Sequence, residues 1–271
     1  MHPHAYNALR ASYFTISTKG GVGKTLNGSF VIHAHELAGI PLKVLEYDPV
    51  QPLRKIYPNH GVESRAVGIS FEQQLGNPTA AMEYLAPLIE ELRNTTTISR
   101  IIDLGGPMAE PLLDAMRLAE LGETIENQGA HLRPIIPTTT DLSDLEAAAK
   151  VYRDLRLMFP QAEIAFVISE RHGPASSLDG SGLMDTLRKD SRTRIVVLPI
   201  CKSAYLAPLY GHARLSFTQM TKLTPADLRE IPCEGASETF ARHYIKSLRE
   251  WISGALSAYG DFLPQPTQKA A

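Results

Sequence analysis

A glycine-rich segment near the amino terminus, residues 17–25 (STKGGVGKT), constrains the fold of this chain more than any other stretch. An apolar run at residues 12–17 (SYFTIS) precedes it, and a helix-forming run begins at Lys24. A strand, a glycine-rich turn and a helix in this order direct backbone N–H groups at an anion, together with the positive end of the helix dipole. The segment therefore predicts a phosphate-binding loop at the carboxyl end of a buried strand.

Short apolar runs alternate with longer amphipathic runs along the rest of the 271 residues. The pattern predicts strands at residues 12–17, 42–47, 100–104, 133–137, 163–169 and 194–198, and helices at residues 24–37, 79–93, 142–158, 183–189 and 238–259. Runs that are apolar throughout are typical of parallel strands buried on both faces. We therefore expect an α/β fold, with a single doubly wound and mostly parallel sheet between two layers of helices.

No internal repeat or linker divides the chain, so we expect one domain over residues 1–262 and a disordered tail over residues 263–271. Two cysteines, Cys201 and Cys233, exclude a disulfide framework and a four-cysteine zinc site. The formal charge of −2 argues against a constitutively basic nucleic-acid binder. Because no apolar run approaches the roughly 18 residues of a membrane span and no signal peptide is visible, we expect a cytoplasmic protein without stable membrane association.

The residues of the loop have the chemistry that a nucleoside triphosphate and its metal require. Gly20, Gly21 and Gly23 let the backbone curl around phosphate oxygens, and Lys24 can reach the β- and γ-phosphates. The Thr25 hydroxyl can ligate Mg²⁺. We expect a nucleoside triphosphate and Mg²⁺ to bind here, with the nucleotide held by Thr18, Lys19, Gly20, Gly21, Val22, Gly23, Lys24, Thr25 and Leu26.

A lysine directly before the glycines makes the string KGGVGKT, Lys19 to Thr25, which resembles the deviant Walker A motif of the ParA/MinD family of dimerising ATPases. Thr18 stands where the general P-loop pattern has its first glycine, a position that varies in that family. The resemblance implies a P-loop NTPase fold and a homodimer in the ATP state. It also implies that Lys24 is catalytic in its own subunit, and that Lys19 reaches the partner's phosphates as an arginine finger does elsewhere.

Two carboxylates follow at the ends of the next predicted strands. Residues 44–52 (VLEYDPVQP) are similar to a family string in which a second acid orients the attacking water, and Asp48 matches that acid while Glu46 replaces the first Asp. Residues 100–107 (RIIDLGGP) show the Walker B pattern, in which Asp103 would hold Mg²⁺ through a water. We therefore expect Asp48 to be catalytic, and Thr25, Asp48 and Asp103 to form the metal site.

Later segments extend the resemblance towards the nucleotide's other end. Residues 196–211 look like the family's late strand, proline and loop, and we expect Pro199 to contact the cofactor. Ser169 or Glu170 stands where the family usually has an asparagine that contacts adenine.

The leading hypothesis for the output is a partition-type ATPase, possessing slow turnover stimulated by a partner protein. Its ATP dimer would bind DNA nonspecifically, making it a nucleoid-associated positioner of a plasmid or other cargo. The candidate phosphate-tracking residues are Arg188, Lys189, Arg192, Arg242 and Lys246. One alternative is a nucleotide-gated regulatory adaptor that contacts only proteins, for example in conjugation or secretion. A MinD-like membrane-surface switch is less favoured, because residues 260–271 lack a basic amphipathic helix.

Overall fold

The sheet is described by a computed structural model that covers residues 11–48, 50–64, 80–94, 98–127, 131–229 and 238–265. Its strands are β1 (Ala11–Thr15), β2 (Leu42–Tyr47), β3 (Glu63–Ser64), β4 (Ser99–Leu104), β5 (His131–Thr139), β6 (Ile164–Ser169) and β7 (Thr193–Leu198). They follow the order β3-β2-β4-β1-β5-β6-β7, and every neighbouring pair is parallel. All six predicted strands are confirmed. The sequence missed β3, since two residues are too short to show a pattern.

The helices are α1 (Lys24–Ala38), α2 (Pro52–Ile56), α3 (Ala80–Arg93), α4 (Ala109–Leu118), α5 (Leu121–Asn127), α6 (Leu142–Met158), α7 (Gly182–Lys189), α8 (Phe217–Lys222) and α9 (Glu238–Tyr259). The five predicted helices are confirmed, although the predicted start of α3 at residue 79 lies outside the described residues. The predicted cap of α6 is also present, because Asp141 accepts a hydrogen bond from the Ser143 N–H at 2.9 Å. The short helices α2, α4, α5 and α8 were not predicted.

Helices cover both faces of the sheet, which confirms the three-layer α/β/α arrangement. Alternate residues of each strand point to opposite faces, so Phe14 of β1 packs under α3–α7 while its neighbour Tyr13 packs under α1, α2, α8 and α9. The strands are therefore buried on both sides, as their continuous apolar runs indicate.

The order of the strands reverses at β1, which lies between β4 and β5 in the middle of the sheet. Open α/β sheets bind ligands outside the carboxyl ends of the strands at such a switch point. The glycine-rich segment leaves β1 at this point and enters α1.

The end of the chain differs from the sequence prediction. Leu263 is 2% exposed and packs in the core with Phe262 and Tyr259. The Phe262 carbonyl accepts a hydrogen bond from Arg133 Nη1 at 2.7 Å, which anchors this segment to β5. The tail boundary predicted at residue 263 is therefore too early, and residues 266–271 lie outside the described residues. None of the helices in the described ranges is long and apolar enough to cross a bilayer.

Candidate nucleotide site

The loop between β1 and α1 has the backbone shape that its glycines allow. Gly21 and Gly23 adopt φ of +75° and +97°, in the region that residues with a side chain rarely occupy. Gly23 precedes the first residue of α1, and no side chain caps this helix end. The first-turn N–H groups of α1 are thus left for an anion in the loop.

Lys24 is held inside the curl of this loop. Its Nζ donates a hydrogen bond to the Lys19 carbonyl at 2.7 Å, and a methyl group placed on Gly106 would lie 3.7 Å from Nζ. Burial lowers the pKa of Lys24, while the nearby carboxylates of Asp103 and Asp48 oppose this change. A cation in this position suits the phosphates of a nucleotide.

Asp103 connects the strands to the loop. It is fully buried at the end of β4, where Oδ1 accepts a hydrogen bond from Thr15 Oγ1 at 2.5 Å and Oδ2 accepts one from Thr25 Oγ1 at 2.8 Å. Burial raises the pKa of Asp103 to about 6, against the lowering effect of both threonine bonds.

This donor set fits Mg²⁺. The Thr25 hydroxyl donates its proton to Asp103, so its oxygen lone pairs stay available to a hard cation, and the Asp103 carboxylate lies behind it to accept hydrogen bonds from the cation's water. Thr25 and Asp103 are therefore brought together as the sequence predicts.

Glu46, at the position of the family's first Asp, points elsewhere. It lies opposite Asp103 in the β2–β4 register, yet its carboxylate accepts hydrogen bonds from Leu53 N at 2.6 Å, Arg54 N at 3.3 Å and Ser64 Oγ at 2.7 Å. Glu46 thus binds the amino end of α2 and ties it to β3. Sequence reasoning missed this role, for which Pro52 at the start of a short helix was the available signal.

Asp48 follows β2 on the same edge of the sheet as Asp103. Its Oδ1 accepts a hydrogen bond from Val50 N at 2.8 Å, its carbonyl accepts one from Gln51 N at 3.1 Å, and Gln51 has φ of +51°. Asp48 therefore forms a tight turn that α2 continues. Its charge adds to the raised pKa of both Asp103 and Glu46, in keeping with carboxylates that share one edge.

The predicted contacts to the rest of the nucleotide lie farther from the loop. Pro199 is exposed beyond β7, and its carbonyl accepts a hydrogen bond from Trp251 Nε1 at 2.7 Å. Three strand spacings separate β7 from β1, a distance of about 14 Å.

Glu170 Oε1 accepts a hydrogen bond from Ala175 N at 3.0 Å, whereas Arg171 Nη1 reaches the Gly21 carbonyl at 3.5 Å. No pattern in the sequence selects Arg171.

The five basic residues predicted for DNA fall into two groups. Arg188 and Lys189 close α7 and Arg192 precedes β7, so the first group lies at the amino end of β7. Arg188 forms an ion pair with Asp179, and Arg192 Nη1 donates to the Gln161 carbonyl at 3.4 Å.

The second group, Arg242 and Lys246, is exposed on the first half of α9. Trp251 of α9 contacts Pro199 at the carboxyl end of β7, and Asp261, beyond α9, pairs with Arg194 near its amino end. Lys246 and Arg242 precede Trp251 by about 8 and 14 Å along the helix axis, on the carboxyl side of the sheet. The structure therefore separates the two basic groups towards opposite ends of β7 and does not join them into one patch.

No protein-family model matches the sequence, and no curated protein matches it. Similar solved structures include a MinD cell division protein of Aquifex aeolicus, with 13% identity, 90% of this chain and 97% of that chain covered, and a TM-score of 0.47. A plasmid partition protein of Borrelia burgdorferi is similar at 12% identity, over 70% of this chain and 90% of that chain, with a TM-score of 0.46. A complex of Cyanothece McdA with ATP is similar at 14% identity, over 92% and 97%, with a TM-score of 0.46.

Proposed function

We propose that this protein is a nucleotide-switched ATPase of the ParA/MinD type, which binds ATP with Mg²⁺ and hydrolyses it to ADP and phosphate. The observation that carries the proposal is Asp103, buried at the end of β4 and bonded to the hydroxyl of Thr25 in the loop that encloses Lys24. A buried carboxylate, a threonine hydroxyl and a lysine beside the uncapped N–H groups of a helix match the needs of a metal-bound triphosphate.

In this proposal each residue of the site has a separate role. The loop N–H groups and Lys24 hold the phosphates, while Thr25 and Asp103 hold Mg²⁺, which when bound neutralises charge on the phosphates. Asp48, at the same edge, accepts a hydrogen bond from water and orients its oxygen towards the terminal phosphate. Val50 N–H is bonded to Asp48 Oδ1, so Asp48 can keep this bond and accept from the water at its second oxygen.

In this proposal Lys19 acts across the interface of a dimer. Its backbone carbonyl is bound by Lys24 within the loop, whereas its side chain is half-exposed at the rim. From there it would reach the phosphates of a second copy of this chain, so that two molecules close around two nucleotides. Hydrolysis would then open the homodimer and change its affinity for partners.

The proposed output is nonspecific DNA binding by the ATP dimer, together with a protein that stimulates hydrolysis, in the cytoplasm at the nucleoid. The motif resemblance supports this output, and the exposed Arg242 and Lys246 on the carboxyl side of the sheet supply cationic groups.

The test of the nucleotide step is ATP binding and phosphate release by purified protein. Lys24→Gln should abolish both, and Asp48→Ala should keep ATP binding while turnover falls at least about a hundred-fold. Lys19→Ala should keep binding by the monomer and lose turnover. Lys150→Gln is the matched control, since Lys150 is an exposed lysine that pairs with Glu110 on another helix. Binding that persists in Lys24→Gln would contradict the proposed site.

The test of the output is binding to random duplex DNA with ATP, with ADP and without nucleotide, at several salt concentrations. Asp48→Ala traps the ATP state for this measurement. Binding that needs ATP and falls steeply with salt supports the partition hypothesis. ATP-dependent dimers that do not bind DNA would refute it.

A protein-only adaptor is the second candidate. The observations that favour it are two exposed apolar side chains, Ile200 just beyond β7 at 61% and Phe240 in the first turn of α9 at 56%. Phe240 packs on Tyr244, which in turn packs on Tyr205. Exposed aromatic residues of this kind are typical of protein interfaces. Ile200→Ser with Phe240→Ser should then abolish partner stimulation of the ATPase and leave its unstimulated turnover unchanged.

A further inference from the structure

Thr15, the last residue of β1, has a polar side chain that solvent does not reach. It lies opposite Asp103 in the β1–β4 register, and its Oγ1 donates a hydrogen bond to Asp103 Oδ1 at 2.5 Å. Helix α1 covers this pair, because a methyl group placed on Gly28 would lie 4.0 Å from both Thr15 Cγ2 and Asp103 Oδ1. The hydrogen bond is therefore enclosed between the sheet and α1.

The two carboxylate oxygens of Asp103 have different neighbours. Oδ2 accepts a hydrogen bond from Thr25 Oγ1 at 2.8 Å on the side of the loop, whereas Oδ1 has Thr15 as its one donor in the described part of the chain. Asp103 is fully buried, so bulk water does not reach Oδ1 in place of Thr15. The orientation of the carboxylate plane thus depends on one hydroxyl at each oxygen.

Thr15 can fix this plane better than the aspartate side chain does by itself. The torsion that turns a carboxylate about the Cβ–Cγ bond of aspartate has no sharp staggered minima, so the side chain alone leaves the plane free to rotate. Thr15 is β-branched and lies in a central strand of the sheet, which restricts its own χ1. Because a carboxylate is planar, a donor that holds Oδ1 also sets the direction of Oδ2.

We propose that Thr15 is a positioning residue that fixes the carboxylate plane of Asp103, so that Oδ2 faces Thr25 and the magnesium site. The proposal rests on the proposed function, because it requires a metal-bound nucleotide in the loop. In this role Thr15 touches neither the nucleotide nor the metal and acts through Asp103. Partners that orient the residues of a metal site typically change metal affinity by about 10- to 100-fold.

A purely structural role of Thr15 would have a different signature. If Thr15 only compensated a buried carboxylate, its loss would lower the free energy of unfolding and leave the contribution of Mg²⁺ to ATP affinity unchanged. A positioning role predicts that the loss appears in the part of ATP affinity that depends on Mg²⁺. ATP binding in excess Mg²⁺ and in EDTA therefore separates the two roles.

The experiment is calorimetric titration of the full chain with ATP, in excess Mg²⁺ and in EDTA. A pH of about 8.5 lies above the pKa of about 6 that burial gives Asp103, so the carboxyl is ionised during the titration. Thr15→Val keeps the shape of the side chain and removes the hydroxyl. It should raise the dissociation constant about ten-fold in Mg²⁺ and leave it unchanged in EDTA. Thr15→Ser, which keeps the hydroxyl, should restore most of the affinity.

Thr138→Val is the matched control, since Thr138 is a fully buried threonine near the end of the neighbouring strand β5, and its hydroxyl donates to the Thr139 carbonyl at 3.3 Å. It should leave both dissociation constants unchanged. A second comparison uses Asp103→Asn, alone and together with Thr15→Val, and does not require the single Thr15→Val variant to fold. Because Thr15 acts through Asp103, adding Thr15→Val to Asp103→Asn should cause no further loss of affinity in Mg²⁺.

Three results would decide against these proposals. No loss of ATP affinity in Thr15→Val, or an equal loss in Mg²⁺ and in EDTA, would overturn the positioning role. A further loss in the double variant would also overturn it, because Thr15 would then act on the loop without Asp103. Wild-type protein that does not bind ATP, or binds it equally in Mg²⁺ and in EDTA, would overturn the proposed function, and this proposal with it.

Discussion

At the scale of single residues, burial decides which polar groups are compatible with the site. Asp103 and Glu46 are both buried carboxylates at one register position of neighbouring strands, and burial raises the pKa of each. Each is compensated by different donors: two threonine hydroxyls for Asp103, and the amino end of α2 with Ser64 for Glu46. The two acids are therefore suited to separate roles, the proposed metal site for Asp103 and attachment of α2 for Glu46.

Asp103→Asn should separate stability from nucleotide binding. The substitution removes a charge whose burial is unfavourable, so the nucleotide-free protein should melt at the wild-type temperature or slightly above it. The extra thermal stability conferred by ATP with Mg²⁺ should vanish, because a neutral amide holds the metal's water poorly. Thermal unfolding with ATP, with and without Mg²⁺, measures both effects. Asp114→Asn, at an exposed aspartate, is the control. Retained Mg²⁺-dependent stabilisation would contradict the role of Asp103.

His35 should make the fold sensitive to mild acid. The ring is 1% exposed, Nδ1 faces the Val31 carbonyl at 2.9 Å, and Nε2 is buried without a partner in the described part of the chain. Burial lowers the pKa of His35 to about 4, with the charge of Arg133 as a further cause. The unfolded chain takes up a proton below about pH 6.5 and the folded chain does not, so the free energy of unfolding decreases as pH falls from about 6.5 to about 4, by about 3 kcal/mol in full.

The measurement for this prediction is urea unfolding across that pH range, for wild type and His35→Phe. The difference in unfolding free energy between the two proteins should shrink, or change sign in favour of the variant, as the pH falls. His172→Phe, at an exposed histidine, is the control. Parallel pH profiles for wild type and His35→Phe would show that His35 is not buried in the neutral form.

At the scale of elements, two helices are fastened to the site by single side chains. Glu46 binds the amino end of α2, which follows the Asp48 turn. Tyr259, the last residue of α9, donates its hydroxyl to Asn27 Oδ1, while Asn27 Nδ2 donates to the Gly23 carbonyl at 2.7 Å. The loop is therefore coupled to α2 through β2, and to α9 through α1.

Glu46→Asp should destabilise the protein even though aspartate is the usual residue here in the motif that this segment resembles. The shorter side chain withdraws the carboxylate from Leu53 N and Arg54 N, and loss of a helix cap costs about 1–2 kcal/mol. Turnover should fall as well, since α2 no longer fixes the turn that contains Asp48. Urea unfolding and phosphate release test both effects, and Glu46→Gln, which keeps the reach, should lose less stability. A more active Glu46→Asp would instead assign this position to the metal site.

Tyr259→Phe should weaken the connection between α9 and the loop. The change leaves the buried Asn27 Oδ1 without its donor, which costs about 1–3 kcal/mol. The released Asn27 side chain should also raise the dissociation constant for ATP, because Asn27 holds the carbonyl of Gly23. Tyr244→Phe is the control, as the Tyr244 ring packs on Tyr205 at the other end of α9. Equal unfolding free energies of Tyr259→Phe and wild type would refute the connection.

At the scale of the whole molecule, the direction of α9 relative to β7 determines at which end of the sheet the basic side chains of α9 lie. The net charge of −2 has the same sign as the charge of DNA, so the proposed DNA binding would depend on local basic groups. Arg242 and Lys246 extend beyond the carboxyl end of the sheet, on the side of the nucleotide loop, whereas Arg188, Lys189 and Arg192 lie at the other end of β7. The surface of the proposed ATP-dependent dimer would therefore include the first group more directly than the second.

Substitution of the two groups should therefore have unequal effects on DNA binding. The double variant Arg242→Ala/Lys246→Ala should weaken ATP-dependent binding to random duplex DNA and reduce its salt dependence by about one to two ion equivalents. The triple variant Arg188→Ala/Lys189→Ala/Arg192→Ala should bind like wild type. Filter binding or fluorescence anisotropy over a salt series measures the slopes. The opposite order of effects would place the DNA surface at the amino ends of the strands.

The sequence by itself determined the sheet, its main helices and the position of the phosphate loop. Continuous apolar runs, a glycine-rich segment and the lysine that begins the helix are local patterns. Local patterns of this kind can be recognised in the sequence alone. Asp103 could be predicted because a carboxylate at a strand end must lie at the ligand-binding edge of a parallel sheet.

Only the tertiary structure decided which atoms meet. Glu46 turns to α2 because the Leu53 and Arg54 N–H groups lie within its reach, and Arg171 reaches Gly21 because β6 ends near β1. Leu263 is in the core because Arg133 binds the carbonyl before it. These contacts join residues far apart in the chain, and the burial that raises or lowers their pKa exists only once the layers pack. A pattern in the sequence indicates which polar side chains a segment carries. Their hydrogen-bond partners depend on how the strands are ordered in the sheet.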